Sequence, residues 1–336
     1  MNAREPIDPG ARIGSMTPTQ AAIGGRPAPA LATSAPSRWP KGALIVAGWE
    51  LRRLRADRLT WLIVGATLAL CLGLAWLKHS WGRPVIDGVQ GESILILATT
   101  RVGLPYLMIE GLFVLFGLVI PFVATEGVAH DYRARTHELI MATPITTRAY
   151  VWGRFGAVLL ISVILDLMLL ASVVVLGPLL HASDATYPAP DLALALGIWS
   201  LAIVPGTLVL SSVSFALGTL LPRAAALVKV VPVVGWVGLV FLSDVVDHGG
   251  TWFTAFNPTS YGIVRVQVDQ FLAAYQVNVV GVADAAQRFD IAVRLQQTAP
   301  DLYPFVLPHV LLVVASLVVV AWTAKQFGRF RTELGG

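Results

Sequence analysis

The sequence predicts an all-α integral membrane protein with six transmembrane helices, and three observations carry that prediction. Hydrophobic residues make up 56% of the 336, and mean hydropathy is +0.71. Charged residues are only 13%, about half of the roughly 25% usual in soluble domains. The apolar excess is also blocky, and six stretches approach or exceed the ~20 residues that a helix needs to cross a bilayer. These are 60–77, 104–124, 152–177, 192–221, 225–243 and 303–324, within a membrane domain at 41–336.

Residues 1–40 are rich in Ala, Pro, Gly, Ser and Thr, with no apolar run and no helical period. That composition buries too little surface to offset the entropy of ordering, which predicts a disordered cytoplasmic tail. The tail lacks the apolar region of a secretory signal peptide, so the first span is expected to remain as an anchor. Residues 42–58 (GALIVAGWELRRLRADR) place Leu44, Ala47, Leu51 and Leu54 on one helical face, with Glu50, Arg53 and Asp57 opposite. Arg55 and Arg58 intrude on the edge of that stripe. The spacing predicts an N-terminal amphipathic helix lying in the cytoplasmic interface, with Trp49 at headgroup depth and Arg side chains near anionic lipid. An ordinary juxtamembrane anchor is the alternative.

Two spans carry irregularities. The fourth is too long for a straight crossing: about 45 Å of helix against a hydrocarbon core of about 30 Å. With Pro205 in its middle, it must tilt, kink or protrude. The fifth contains Lys229 and Pro232. Between spans five and six, residues 244–302 predict an external helical segment. There Tyr261, Val264, Val268, Phe271 and Tyr275 repeat at helical spacing after Asn257-Pro258, and ADAAQRFDIAVRLQQ forms a second candidate helix. Such pieces suit the outer membrane surface, the cap of an exit path, or a small external subdomain.

Orientation follows from the basic residues. With both termini cytoplasmic, the 24 Lys and Arg divide 18 inside to 6 outside, and the reverse topology would invert that bias. The expected location is a cell membrane, plasma or inner, with a multi-pass chain. Basic residues sit beside apolar spans rather than clustering on a solvated face, which argues against nucleic acid as a partner. The single cysteine, Cys71, lies inside a span and offers neither a disulfide nor a Cys-based metal site.

Charge is scarce in this chain, yet residues 130–154 (HDYRARTHELIMATPITTRAYVWGR) hold Asp131, Arg133, Arg135, Glu138, Arg148 and Arg154. By the orientation argument, 125–151 is cytoplasmic. Thr136 is a competent N-cap, Glu138 falls in the first turn where a carboxylate suits the helix dipole, and Pro144 ends the element. The result is a short helix anchored at both ends by spans, with Leu139, Ile140 and Met141 as an apolar ridge. A loop that only reverses direction needs neither ridge nor punctuation. The segment therefore reads as a docking element for a cytoplasmic partner.

The longer run ATEGVAHDYRARTHELIMATPITTRAYVWGR resembles the cytoplasmic segment of ATP-binding-cassette type-2 (ABC-2) transporter permeases. In that family an acidic residue ends span two. An Arg/Thr/Glu-Leu-hydrophobic helix, a Pro-containing turn and a Gly-Lys/Arg approach to span three follow. Glu126, Arg135, Thr136, Glu138, Leu139, Pro144, Gly153 and Arg154 stand at those positions. The likeness covers about residues 40–330. It departs at Arg135, where the family usually has Gly, and in the longer outer segment before span six.

The resemblance implies that the short helix is a coupling helix, seated in a groove of a separate ATPase subunit. Arg135, Thr136, Glu138, Leu139 and Pro144 would form the docking element. It also implies a second permease copy or paralogue, surrounding membrane lipid, and ATP and Mg held by the partner. No catalytic residue and no cofactor are expected in this chain. None of its four lysines (Lys41, Lys78, Lys229 and Lys325) follows a glycine, so it has no Walker loop.

Two carboxylates, Glu110 and Asp166, lie within predicted spans. Each costs about 2.5–3.5 kcal/mol on insertion scales at mid-membrane and should face the bundle interior with a partner. They are candidate substrate or gating contacts, against a structural helix–helix hydrogen bond. Glu110, near the outer boundary, is alternatively a solvated interface residue. His130 and His137 lack a further ligand for a metal, and no G-x-S-x-G elbow occurs. Ser214 with Gly218, and Gly235 with Gly238, are small pairs that permit close helix packing, and Trp61, Trp76, Trp81 and Trp322 read as interface anchors.

The leading expectation is an ATP-driven exporter's permease subunit for a lipophilic or amphipathic molecule. A proton-coupled secondary transporter using Glu110 and Asp166 is the alternative. A membrane-embedded enzyme is disfavoured by the lack of polar residues clustered towards one membrane side.

Overall fold

The computed structural model describes residues 39–82, 100–101, 103–111, 116–133, 145–183, 189–246, 252–264, 266–267, 294, 297–298 and 300–327. Among them there is helix and no strand. The helices are α1 (Trp39–Ala56), α2 (Arg58–Gly82), α3 (Gly103–Gly111), α4 (Gly117–Arg133) and α5 (Thr147–Ser183). They continue with α6 (Leu192–Ile198), a π turn (Trp199–Ile203), α7 (Val204–Leu220), α8 (Ala225–Val246), α9 (Trp252–Phe256) and α10 (Tyr303–Gln326). All belong to the unit Pro36–Gly336.

Among the described residues, three helical stretches are long and apolar enough to cross a membrane: Thr147–Ser183, Leu192–Leu220 and Tyr303–Gln326. They coincide with the third, fourth and sixth predicted spans. The first predicted span falls on α2, the fifth on α8, and the second is divided between α3 and α4 on either side of 112–115. Large apolar side chains cover the outside of this bundle, among them Val230, Val234 and Phe241 on α8 and Leu307, Val314 and Val318 on α10. Soluble monomers rarely expose contiguous apolar patches beyond a few hundred Å². Such faces identify a membrane protein.

Local chemistry explains where the helices begin and turn. Asp57 separates α1 from α2 and accepts a hydrogen bond from the Thr60 hydroxyl at 3.3 Å. The Trp61 indole donates to the Arg55 carbonyl at 2.8 Å, satisfying an acceptor that the end of α1 leaves open. Trp61 is thus an elbow fastener as well as a surface aromatic. Across this elbow α1 and residues 60–74 meet at 76°. At the head of α5, the Thr146 hydroxyl accepts from Ala149 N at 3.2 Å. Asp191 caps α6 through Ala193 N and Leu194 N, both at 3.1 Å, and also accepts from Arg101 Nε at 3.0 Å. That last contact fastens the approach to α3 onto the start of α6.

Helices α5 and α7 form the centre. The most extensive packing is of α1 on α5, and of α4 and α10 on α7. α5 has 37 residues, about 55 Å of helix, so it extends well beyond a hydrocarbon core of about 30 Å. α8 runs through Lys229 and Pro232 without interruption, and the Lys229 ammonium lies 5.6 Å from the Phe122 ring centroid on α4.

The two small pairs differ in what they do. A Cβ built on Gly218 would lie 2.8 Å from Thr125 Cα, so its absence is what lets α7 meet the α4 backbone. Gly235 and Gly238 meet nothing within 4 Å, so this pair does not mediate packing within the described chain. Backbone cannot yield as a flexible side chain can. Gly218→Ala should therefore cost about 1–3 kcal/mol and lower the thermal midpoint of the purified protein. Gly235→Ala should leave that midpoint unchanged or slightly higher.

Candidate functional site

Three polar arrangements are built into this apolar bundle. The first lies midway along α5 and the α6–α7 stretch. Pro205 has no N–H and cannot close an α-helical bond to the carbonyl four residues back. The helix widens instead into the π turn Trp199–Ile203, and Val204 N–H donates to the Trp199 carbonyl. This resolves the predicted irregularity of the fourth span: the stretch stays helical but changes register. Single π turns recur at functional sites.

The altered register puts two donors against Asp166. The Trp199 indole donates to the Asp166 backbone carbonyl at 3.1 Å, and the Thr207 hydroxyl donates to Asp166 Oδ1 at 2.8 Å. One turn away, Ser162 and Ser211 are hydrogen-bonded at 3.1 Å. Asp166, Ser162, Thr207 and Ser211 are all buried. Asp166 Oδ2 has no hydrogen-bond partner among the described residues. A carboxyl oxygen without a donor in an apolar interior is costly.

The second arrangement comes from the segment between α8 and α10. Asn257 Oδ1 accepts from Thr259 N at 3.0 Å and from the Thr259 hydroxyl at 2.8 Å, while Asn257 Nδ2 donates to the Leu239 carbonyl at 3.0 Å. Ser260 follows with φ 57°, a left-handed conformation stabilised by its surroundings. Its hydroxyl lies 3.4 Å from the Ala202 carbonyl, in the π turn, and 3.1 Å from His309 Nε2. His309 Nδ1 donates to the Phe305 carbonyl at 2.8 Å, since a carbonyl only accepts, which leaves Nε2 as the acceptor for Ser260. Asn257, Thr259, Ser260, Ile263, Val264 and His309 are all buried. Within the predicted external segment, 257–260 and 262–264 are thus packed into the bundle, whereas Trp252 is 74% exposed. Asn257, Thr259, Ser260 and His309 are hydrogen-bonded, which offsets the cost of burying them, whereas the buried amide of Gln267 has no partner among the described residues.

The third arrangement joins α1 to α5. Glu50 Oε2 accepts from Arg154 Nη1 at 2.7 Å, and Oε1 is paired with Arg53. Glu50 is 5% exposed and Arg154 6%. Arg154 also lies over the Tyr150 ring at 5.4 Å, and Tyr150 stacks on Phe327 at 5.8 Å, which brings the end of α10 to the same place. Gly153 makes the contact possible, because a Cβ there would come within 2.5 Å of the Ala43 carbonyl. α1 thus meets α5 through a face other than its apolar stripe. Its buried stripe is Gly42, Val46 and Glu50, whereas Leu44 is 74% exposed. The spacing Gly42–Val46–Glu50, with an Arg directly after Gly153, was the available signal.

Of the candidate docking residues and intramembrane contacts, Asp166 is the one whose side chain the structure describes. Arg135, Thr136, Glu138, Leu139 and Pro144 lie outside the described residues, as do His130's and Glu126's side chains and all of His137. Glu110 sits on α3, and its side chain is likewise outside the description. The helix that carries it packs on α5 nearby, since a Cβ on Gly111 would lie 2.8 Å from Leu169 Cδ1. Among the described residues no group of three His, Cys, Asp or Glu side chains is arranged to hold a metal.

Breaking a buried ion pair from one side leaves an uncompensated charge and costs about 3–5 kcal/mol, the retained Arg53 contact placing Glu50 at the lower end. Arg154→Leu should therefore lower the thermal midpoint of the purified protein markedly. Combining Glu50→Leu with Arg154→Leu should recover most of the loss, because both desolvation penalties disappear together.

Comparison of the sequence with protein-family models and with curated proteins returns no match.

Proposed function

We propose that the chain is the transmembrane permease subunit of an ATP-binding-cassette transporter of the ABC-2 type. On this reading it crosses a cell membrane six times with both termini cytoplasmic, α1 lies in the cytoplasmic interface, and a second permease copy or paralogue completes the pathway. A separate ATPase, holding ATP and Mg, docks on the helix near 135–143. The cargo is lipophilic or amphipathic and is exported, in keeping with a bundle whose described interior is mostly apolar.

The observation that carries this reading is the buried Glu50–Arg154 pair at the head of α5. A docking element transmits force only if the helix that follows it is stiff and held. Directly after the 134–146 segment, α5 runs for 37 residues and is clamped in its first turns to α1. ATP binding and permease conformation then share a coupling free energy through that contact.

A second reading has its own support. Asp166 is buried at mid-span with one oxygen lacking a partner, as a proton-coupled secondary transporter using Glu110 and Asp166 would require. Reconstitution separates the two. ATP-driven transport with a co-purifying ATPase supports the first, and transport that follows an imposed proton gradient without any ATPase overturns it.

Glu138→Arg should reduce coupled transport by roughly 5- to 150-fold, the range of ordinary allosteric couplings, while membrane insertion persists. Unchanged transport in that variant removes the docking role. Asp166→Asn keeps the Thr207 hydrogen bond and removes the titratable proton. ATP-driven transport should survive it, whereas proton-driven transport should be lost.

A further inference from the structure

Where the head of α1, the head of α5 and the tail of α10 meet, they enclose a half-open cleft of about 400 Å³. It is lined by Trp39, Arg148, Trp152, Ala321, Ala324 and Lys325. That volume lies within the ~300–1,000 Å³ range of small-molecule sites. Its lining combines two features. Arg148 and Lys325 are exposed cations from different helices, and neither has a carboxylate partner among the described residues. Trp39 and Trp152 supply flat amphipathic walls, of the kind that concentrate at the level of lipid headgroups. Ala321 and Ala324 add a small apolar floor.

Two cations with no carboxylate partner among the described residues, together with two indoles and two small apolar side chains, match an anionic head joined to an apolar tail. The neighbouring surface supports the same occupant. α1 turns outward Leu44 and Trp49, and Trp322 beside the cleft is 51% exposed, so acyl chains have apolar surface to follow. On the orientation proposed above, this end of the bundle faces the cytoplasmic leaflet, where anionic lipids attract basic residues near the surface. We propose that the cleft is a binding site for the phosphate headgroup of an anionic phospholipid, held by Arg148 and Lys325 between Trp39 and Trp152. The site joins α1, α5 and α10 at one point, so its occupant braces the same junction that the Glu50–Arg154 pair holds from within.

The test uses the purified full chain, titrated separately with detergent-solubilised phosphatidylglycerol, phosphatidylcholine and inorganic phosphate. Binding is read by native mass spectrometry and by the thermal midpoint. Each basic residue near an anionic headgroup contributes enough that two should favour phosphatidylglycerol over phosphatidylcholine by about 30-fold. That preference should shrink at high salt. Inorganic phosphate at the same concentration should neither bind measurably nor raise the midpoint. Combining Arg148→Gln with Lys325→Gln should abolish the preference, while Arg223→Gln, an exposed cation elsewhere, should retain it.

Equal binding of the two lipids by the unaltered protein overturns the proposal, and that comparison needs no variant to fold. Protection by inorganic phosphate equal to that by phosphatidylglycerol also overturns it, because the site would then take a free anion. Loss of the preference in Arg223→Gln equal to that in the paired variant overturns it as well, because diffuse surface charge would then be the cause.

Discussion

The ion pair between Glu50 and Arg154 is the constraint on which the rest of this architecture depends. It joins residues 104 positions apart, and it lies where α1, α5 and α10 converge. A buried pair is not by itself a source of stability, since the desolvation of two charges offsets most of their attraction. What it supplies is definition. Once both charges are buried, any rotation of α1 about its axis strands one of them. The Gly153 contact with the Ala43 carbonyl tightens this, because it allows the helices too little separation for another residue to intervene. The elbow at Asp57 then fixes the direction in which α2 leaves.

From that junction α5 runs the length of the bundle as one uninterrupted helix, and α7 lies against it. The two helices are joined by hydrogen bonds rather than by shape alone: Ser162 to Ser211 and Thr207 to Asp166. In lipid, apolar side chains have little preference between protein and acyl chains, so small and polar groups carry the specificity of helix pairing. The π turn serves this arrangement. It accommodates Pro205 and also turns Trp199 towards the Asp166 carbonyl and Ala202 towards Ser260. One local irregularity therefore coordinates two polar contacts, one with the centre of the bundle and one with the segment before α10.

These features fit a permease worked by a partner, as proposed. A stiff helix held at its head, a central polar contact and a hydrogen-bonded segment packed in before α10 are what such a permease would need to move as a few rigid pieces. They would equally serve a proton-coupled carrier if Asp166 exchanged its proton. The two readings share the fold and differ in where energy enters: at the 134–146 segment or at Asp166. A lipid seated between Arg148 and Lys325 would act on either, through the junction both share.

The sequence alone determined the membrane character and the helical class. Asp57, Thr146 and Asp191 set helix starts through chemistry that acts within a few residues, yet it was the structure that identified them. The spans at 152–177, 192–221 and 303–324 were legible because length and hydropathy are local properties. Which face of each helix is buried was decided only by the tertiary structure. Hydropathy marked Leu44, Ala47, Leu51 and Leu54 on α1 as a membrane-facing stripe, and only the bundle shows that Gly42, Val46 and Glu50 are the residues it buries. It likewise used Gly218 for close contact and left Gly235 open. A bilayer accepts an apolar face as readily as a protein core does, so hydrophobic periodicity loses its direction there. The pairings of Glu50 with Arg154, Asp166 with Thr207 and Ser260 with His309 join distant positions, and the close approach of whole helices, not any local pattern, selected them.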